Sequence, residues 1–175
     1  MGRGLVGSCG PAAEGLQVVV NLVTRAESQT VRLGELIGLS LGAGDVVLLY
    51  GELGAGKTTL VRGMARAVGY GGRVSSPTFA LAHVYRGKRL TLHHLDLYRL
   101  KEGQTAELGL DEILSDPRGA VVVEWPQAAR WPRSRVEVRL AHANGGRTAA
   151  IVDRRAHAKI NRKTLSLSGL ISAVG

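Results

Sequence analysis

Residues 51–59 read Gly51-Glu52-Leu53-Gly54-Ala55-Gly56-Lys57-Thr58-Thr59, which fits G-x-x-x-x-G-K-[ST], the pattern of a phosphate-cradling loop. Its three glycines permit backbone conformations that a Cβ forbids, so successive N–H groups can turn toward phosphate oxygens. Lys57 is a mobile point charge able to reach the β and γ phosphates. Thr58 offers a hydroxyl to Mg²⁺. A helix following the loop presents its positive end to the same anion. Glu52, Leu53, Gly54, Ala55, Gly56, Lys57, Thr58 and Thr59 are therefore the expected nucleotide-binding segment.

The flanks agree with that reading. Asp45-Val-Val-Leu-Leu-Tyr50 is a short apolar run entering the glycines, as a buried strand does. After the loop, Leu60, Val61, Met64, Ala65 and Val68 recur at helical spacing until Gly69 ends the run. Strand, glycine loop and helix occur in the required order, and the expected ligand is a nucleoside triphosphate.

At 175 residues the chain has the length of one domain, too short for an ABC or AAA+ ATPase with its accessory subdomains. No apolar run approaches the length of a bilayer crossing, and Met1–Gly10 lacks a signal-peptide core. The single Cys9 cannot form an internal disulfide and reads as a free surface thiol. These features predict a reduced, cytoplasmic protein with no membrane contact. The formal charge of +9 invites an acidic partner. Arg154, Arg155, Lys159, Arg162 and Lys163 concentrate part of it after the last expected strand, as a solvated tail or as a contact for RNA.

Met1–Gly15 shows no periodicity and is expected to be disordered. The ATPase-sized domain is expected over 16–155, followed by a basic, flexible tail over 156–175. Within the domain the pattern predicts a strand at Leu16–Val23, a helix at Thr30–Leu41, and a loop at Gly69–Ser76. A hairpin of Phe79–Tyr85 and Arg89–Leu97 follows, then a short helix at Thr105–Leu114. Ala120–Glu124 is an apolar strand, and Arg135–Leu140 with Arg147–Val152 form a second hairpin around Asn144-Gly145. The fold class is α/β: a P-loop NTPase-like mixed sheet, parallel near the nucleotide, antiparallel at its margins and flanked by helices.

Nucleotides bind such sheets at the carboxyl ends of strands, which singles out Asp96 and Glu124. Glu124 ends the run Val121-Val122-Val123, as the acid of a Walker B strand does. On an extended strand Leu92, His94, Asp96 and Tyr98 share one face while Leu95 and Leu97 point the other way. One carboxylate is needed for Mg²⁺ and a further group to orient the attacking water. Asp96 and Glu124 are the candidates for both, without an assignment between them. Ser75-Ser76-Pro77-Thr78 reads equally as a loop sensing the γ-phosphate and as an ordinary Ser-Pro turn. Asp116-Pro-Arg-Gly119 matches D-x-x-G but precedes a strand, and Asn161-Arg-Lys-Thr164 lacks the aspartate of N-K-x-D. ATP is thus favoured over GTP.

Together these pieces resemble the TsaE (YjeE-like) P-loop ATPases of bacterial tRNA threonylcarbamoyladenosine (t6A) biosynthesis. The resemblance rests on the loop at 51–59 with Gly44-Asp-Val-Val-Leu-Leu49 before it, Ser76-Pro-Thr-Phe79, His94-Leu-Asp-Leu-Tyr-Arg99, Leu108-Gly-Leu-Asp-Glu112 and Glu124-Trp-Pro126. It spans roughly Leu16 to Val152. It implies a Mg²⁺-dependent ATP hydrolase that resets a complex of two larger subunits, TsaB and TsaD, which modify adenosine 37 of tRNA. Contact with tRNA would be indirect or through the basic tail. The resemblance further implies that Lys57 and Thr58 bind phosphate and metal and that Thr78 senses the γ-phosphate. Asp96 and Glu124 would serve metal and water, with Trp125 at the border of the site. Gln127 departs from the pattern, standing where relatives often carry an acid.

Two other readings compete. A small-molecule P-loop kinase is of similar size, and Arg130, Arg133 and Arg135 could serve as its lid. A plain RNA-binding module could use the basic tail, although no aromatic stripe of the kind found on RNA-recognition sheets is present.

Overall fold

The computed structural model describes residues 18–77, 80–100, 109–156, 158–160 and 165. In chain order the elements are β1 (Val18–Thr24), α1 (Glu27–Ser40), β2 (Val46–Tyr50), α2 (Lys57–Ala67), β3 (Ala82–Arg86) and β4 (Thr91–Asp96). They continue with α3 (Leu110–Leu114), β5 (Gly119–Glu124), a 3₁₀ turn at Pro126–Ala128, β6 (Val136–Ala143) and β7 (Gly146–Asp153). The expectations for Met1–Gly15, Thr78, Phe79 and the first part of the Thr105–Leu114 helix lie outside the described residues.

One seven-stranded sheet holds the order β1-β7-β6-β2-β5-β4-β3. β2 runs parallel to both β5 and β6, and β4 runs parallel to β5. The margins, β1–β7–β6 and β3–β4, are antiparallel. The sheet is mixed as the sequence predicts.

Alternation on β2 explains its unbroken apolar run. Val47 and Leu49 join the large core beneath α1 and α2, while Val46 and Leu48 join a smaller core on the opposite face with Leu95, Leu97, Val121 and Val123. α3 covers the second face through Leu110, Ile113 and Leu114. A central strand buried on both sides has no place for a polar residue until it reaches the sheet edge.

Several boundaries differ from the pattern. α1 starts at Glu27, three residues before its apolar stripe, because Gln29 Oε1 accepts from the Arg25 amide at 2.6 Å and orders the entry turn. β4 begins at Thr91, since Arg89 is drawn away to donate to the Leu41 carbonyl (2.7 Å) and to the Gly38 carbonyl. Arg89 thereby adds to the cap of α1, where the Leu41 amide also donates to the Gly38 carbonyl at 3.1 Å. Tyr98 lies beyond β4, so it leaves the face it was expected to share with Asp96 and stands 54% exposed.

The basic segment is also less solvated than the charge pattern predicts. Arg155 is buried, donating to both oxygens of Asp153 at 2.7–2.8 Å and to Asp45 at 2.6 Å. Arg154 donates to Glu137 at 3.1 Å. Ile160 and Leu165, within the segment expected to be tail, are buried in the main core. Apolar side chains spaced along a basic stretch hold it to the domain.

Candidate functional site

Parallel register brings three strand ends to one edge. Asp96 pairs with Glu124, and Glu124 pairs with Leu49, the residue two before Gly51. The loop at 51–59 therefore leaves the sheet beside both carboxylates. Gly51 needs to be glycine: its φ is +144°, and a Cβ there would lie 2.4 Å from the Leu140 carbonyl oxygen. Gly56 caps α2 in the left-handed region at φ +103° and, as a glycine, offers no side-chain cap to the first amides of the helix.

Lys57 is buried, at 4% exposure, although it carries a charge. Its Nζ donates to the Gly51 and Glu52 carbonyls at 2.8 and 2.9 Å, and sits 4.0 Å from the centre of the Trp125 ring. Burial pulls its pKa below the ordinary value, against the opposing pull of Glu124 and Asp96. This is a cation held by weak neutral acceptors and an aromatic face, beside amides that favour an anion.

Glu124 is the centre of a buried network. Its Oε1 accepts from the Thr58 hydroxyl at 2.8 Å and lies 3.0 Å from His94 Nε2. Because an ionised carboxylate only accepts, the network assigns the proton of His94 to Nε2. His94 Nδ1 then faces the Tyr85 hydroxyl at 3.4 Å, and Tyr85 donates to the Ser75 carbonyl at 2.9 Å. Burial pushes the Tyr85 pKa up, so it remains a neutral donor.

Asp96 ends β4 one strand away. Its Oδ2 accepts from the Ser76 hydroxyl and its Oδ1 from the Tyr98 amide at 3.1 Å. The Ser75–Ser76 loop is thus tied to Asp96 through the Ser76 hydroxyl and to Tyr85 through the Ser75 carbonyl, and the Tyr85 ring packs 6.0 Å between centroids from that of His94. Trp125 follows Glu124 with φ +58°, a left-handed conformation that is costly for a non-glycine residue. That turn lifts its ring over Lys57, where it also meets Tyr98 at 4.9 Å between centroids.

Lys57, Thr58, Asp96 and Glu124 are all brought together at this edge, with Glu52, Leu53 and Gly54 exposed on the loop and Ala55 buried beneath it. Thr78 lies outside the described residues. His94 and Tyr85 received no role in the sequence reading. The signal for His94 was its place two residues before Asp96 on one strand face. The suggested lid loses one member: Arg135 is held by Glu137 and by the Pro132 carbonyl at 2.8 Å.

The donors suit Mg²⁺, a hard cation that takes oxygen ligands and usually relies on one or two protein groups plus phosphates and water. Thr58 Oγ1 and Glu124 Oε1 adjoin, with the Asp96 carboxylate on the neighbouring strand. Among the described residues no cluster of three or more His, Cys, Asp or Glu side chains is placed to hold a metal ion.

Strand, glycine loop, helix and edge carboxylates on this mixed sheet define a P-loop NTPase-like protein. The family model described as "Threonylcarbamoyl adenosine biosynthesis protein TsaE" matches residues 24–150. The chain belongs to the TsaE family, whose members take part in t6A biosynthesis. It is 39% identical over 124 residues to the TsaE protein of Nostoc, covering 69% of this chain and 76% of that one. With the Treponema pallidum protein it shares 38% identity over 133 residues, 74% of this chain and 97% of the relative. The crystal structure of Bacillus subtilis YdiB superposes with a TM-score of 0.69 at 25% identity, over 88% of this chain and 96% of that one. No helix among the described residues is long and apolar enough to cross a membrane.

Proposed function

We propose that this chain binds ATP and hydrolyses it in a Mg²⁺-dependent step that resets a TsaB/TsaD-type transferase complex between rounds of t6A formation. The observation that carries the reading is Lys57, buried and charged against neutral acceptors at the start of an uncapped helix, next to Thr58, whose hydroxyl is bonded to a carboxylate 66 residues further along the chain. A cation so placed gains its natural partner when a polyphosphate enters.

In this reading Lys57 leaves the Gly51 and Glu52 carbonyls for the β and γ phosphates, while the amides at the start of α2 bind the same groups. Thr58 and Glu124 would hold the metal, which when bound neutralises charge across the β and γ phosphates. Asp96 then orients the attacking water, because it is bonded to Ser76 on the loop leading to Thr78, where the γ-phosphate would be sensed. His94 fixes the Glu124 carboxylate, and Tyr85, packed against His94, holds the Ser75 carbonyl. Loss of the γ-phosphate would thus be felt in the 75–78 loop, a surface able to signal to a partner.

The test is t6A formed per partner complex, from tRNA, threonine, bicarbonate and ATP, with and without this chain. Continued product formation beyond about one equivalent only with the wild-type chain, and not with Lys57→Ala, supports the reset role. Equal yield without the chain, using partners from the same source, refutes it.

A further inference from the structure

α2 and the loop that follows it border a cleft of about 510 Å³. Arg62, Arg66, Tyr70, Arg73 and Ser75 line it together with Thr58, which it shares with the site above. Three guanidinium groups therefore meet in one concavity, and among its described lining residues there is no carboxylate. A space of this size suits a ligand about as large as a nucleotide.

The arginines differ in how they are held. Arg62 and Arg66 stand four apart on α2, so they are neighbours on one helix face. Toward α1, Arg62 donates to Glu27, and Arg66 lies 3.9 Å from Glu35. Both pairs lie at the surface, where such contacts are weak and exchange readily. Arg73 is exposed and makes neither a hydrogen bond nor an ion pair among the described residues. Arg154 and Arg155, in the basic segment from which RNA contact was expected, are instead already bonded to Glu137 and Asp153.

The cleft also has an aromatic wall. The Tyr70 ring packs 5.0 Å from that of Tyr85 between centroids. A Cβ on Gly72 would lie 2.4 Å from the Tyr70 hydroxyl oxygen, so glycine there lets the loop lie against the ring. An acidic peptide would satisfy the arginines alone. Single-stranded RNA would use both features, since phosphates fit guanidinium forks and bases stack on aromatic faces. We propose that this cleft binds single-stranded RNA, its phosphates at Arg62, Arg66 and Arg73 and a base against Tyr70. The proposal goes beyond the ATP-binding reading and does not depend on it.

The test is equilibrium binding of a labelled single-stranded oligoribonucleotide to the full-length chain over a salt series, with and without saturating Mg·ADP. Arg73→Gln and Arg66→Gln should each weaken binding by about fivefold or more and flatten the log–log salt dependence by about 0.7. Arg86→Gln, which removes an exposed arginine outside the cleft, should stay within about twofold of wild type. Tyr70→Leu should weaken binding with the salt slope unchanged, and Tyr70→Phe should restore it. An equal loss in Arg86→Gln and Arg73→Gln would reduce the effect to net charge and overturn the site, as would wild-type affinity in Arg73→Gln. Displacement of the RNA by Mg·ADP would place it in the phosphate loop instead. Polyglutamate competing as well as unlabelled RNA would give the cleft to acidic chains and refute RNA as its ligand. A chain that binds no ADP removes the ATP-binding reading and leaves the comparison of arginine variants intact.

Discussion

Thr58 and Glu124 stand 66 residues apart in sequence, yet the Thr58 hydroxyl donates to Glu124 Oε1 at 2.8 Å. The bond joins the first turn of α2 to the last residue of β5. It exists because parallel pairing of β2 with β5 fixes Glu124 level with Leu49, just before the loop. His94 adds its Nε2 at 3.0 Å to the same oxygen, and is itself fully buried. The fold itself thus holds the carboxylate in place, as the hydrolysis proposed above would require of it.

Glu124→Gln should therefore separate binding from turnover. The amide keeps the shape and an oxygen for the Thr58 hydroxyl but loses the charge. Hydrolysis of ATP should fall by about 10²-fold or more, while ATP affinity stays within about threefold of wild type. Steady-state hydrolysis and equilibrium binding on the same preparations check this. Wild-type turnover would remove Glu124 from the site.

Trp125 should report the movement of Lys57. Its ring lies 4.0 Å from Nζ, whereas Trp131 is held away by its own bond to the Pro126 carbonyl at 2.7 Å. If Lys57 turns to a phosphate, the Trp125 environment changes and that of Trp131 does not. Tryptophan emission should respond to Mg·ATP in Trp131→Phe and be silent in Trp125→Phe. A silent Trp131→Phe that still binds Mg·ATP would show that Lys57 and Trp125 do not part on binding.

Much of this site was legible in the sequence because it depends on local rules. Gly51–Thr59 is a contiguous motif, and Glu124 is the polar stop of an apolar run on a strand buried on both faces. What escaped was non-local. His94 gained its role from the pairing of β4 with β5 and from Tyr85 across the β3–β4 hairpin, neither of which a single strand's alternation reveals. Arg155 looked like part of a solvated basic run because the sequence cannot show that Asp45, 110 positions away, closes a buried ion-pair network around it.

The helix pair behind the loop depends on two glycines that no motif requires. A Cβ on Gly63 would come 2.0 Å from the Val31 carbonyl oxygen, and one on Gly34 would come 2.1 Å from that of Leu60. α1 and α2 cross with backbones in contact, and both obstacles are main chain. Gly63→Ala gains about 1 kcal/mol of helix propensity but has to part the helices. Overpacking of this kind costs about 1–3 kcal/mol or more, so net destabilisation is expected. Chemical denaturation of the variant checks it, and a midpoint equal to or above wild type would refute the close crossing.

Asp153 should set the acid limit of the fold. Its carboxylate is fully buried, accepting from Arg155 Nε at 2.8 Å, from Nη2 at 2.7 Å, and from the Lys159 and Ile160 amides at 3.2 and 3.3 Å. Burial alone would raise its pKa, but the hydrogen bonds and charge of Arg155 outweigh that and hold it below the ordinary 3.8. A carboxylate depressed in the fold contributes stability that is complete above its unfolded value and is lost as pH falls through the folded one. Asp153→Asn leaves Arg155 buried with only Asp45 for a charged partner, and should cost about 3–5 kcal/mol at neutral pH. The gap between wild type and variant should stay constant down to about pH 4 and then narrow, because protonation removes from the wild type what the substitution has already removed. Denaturation midpoints of both proteins between pH 7 and pH 2.5 test this; parallel curves over the whole range would mean that Asp153 does not govern acid stability.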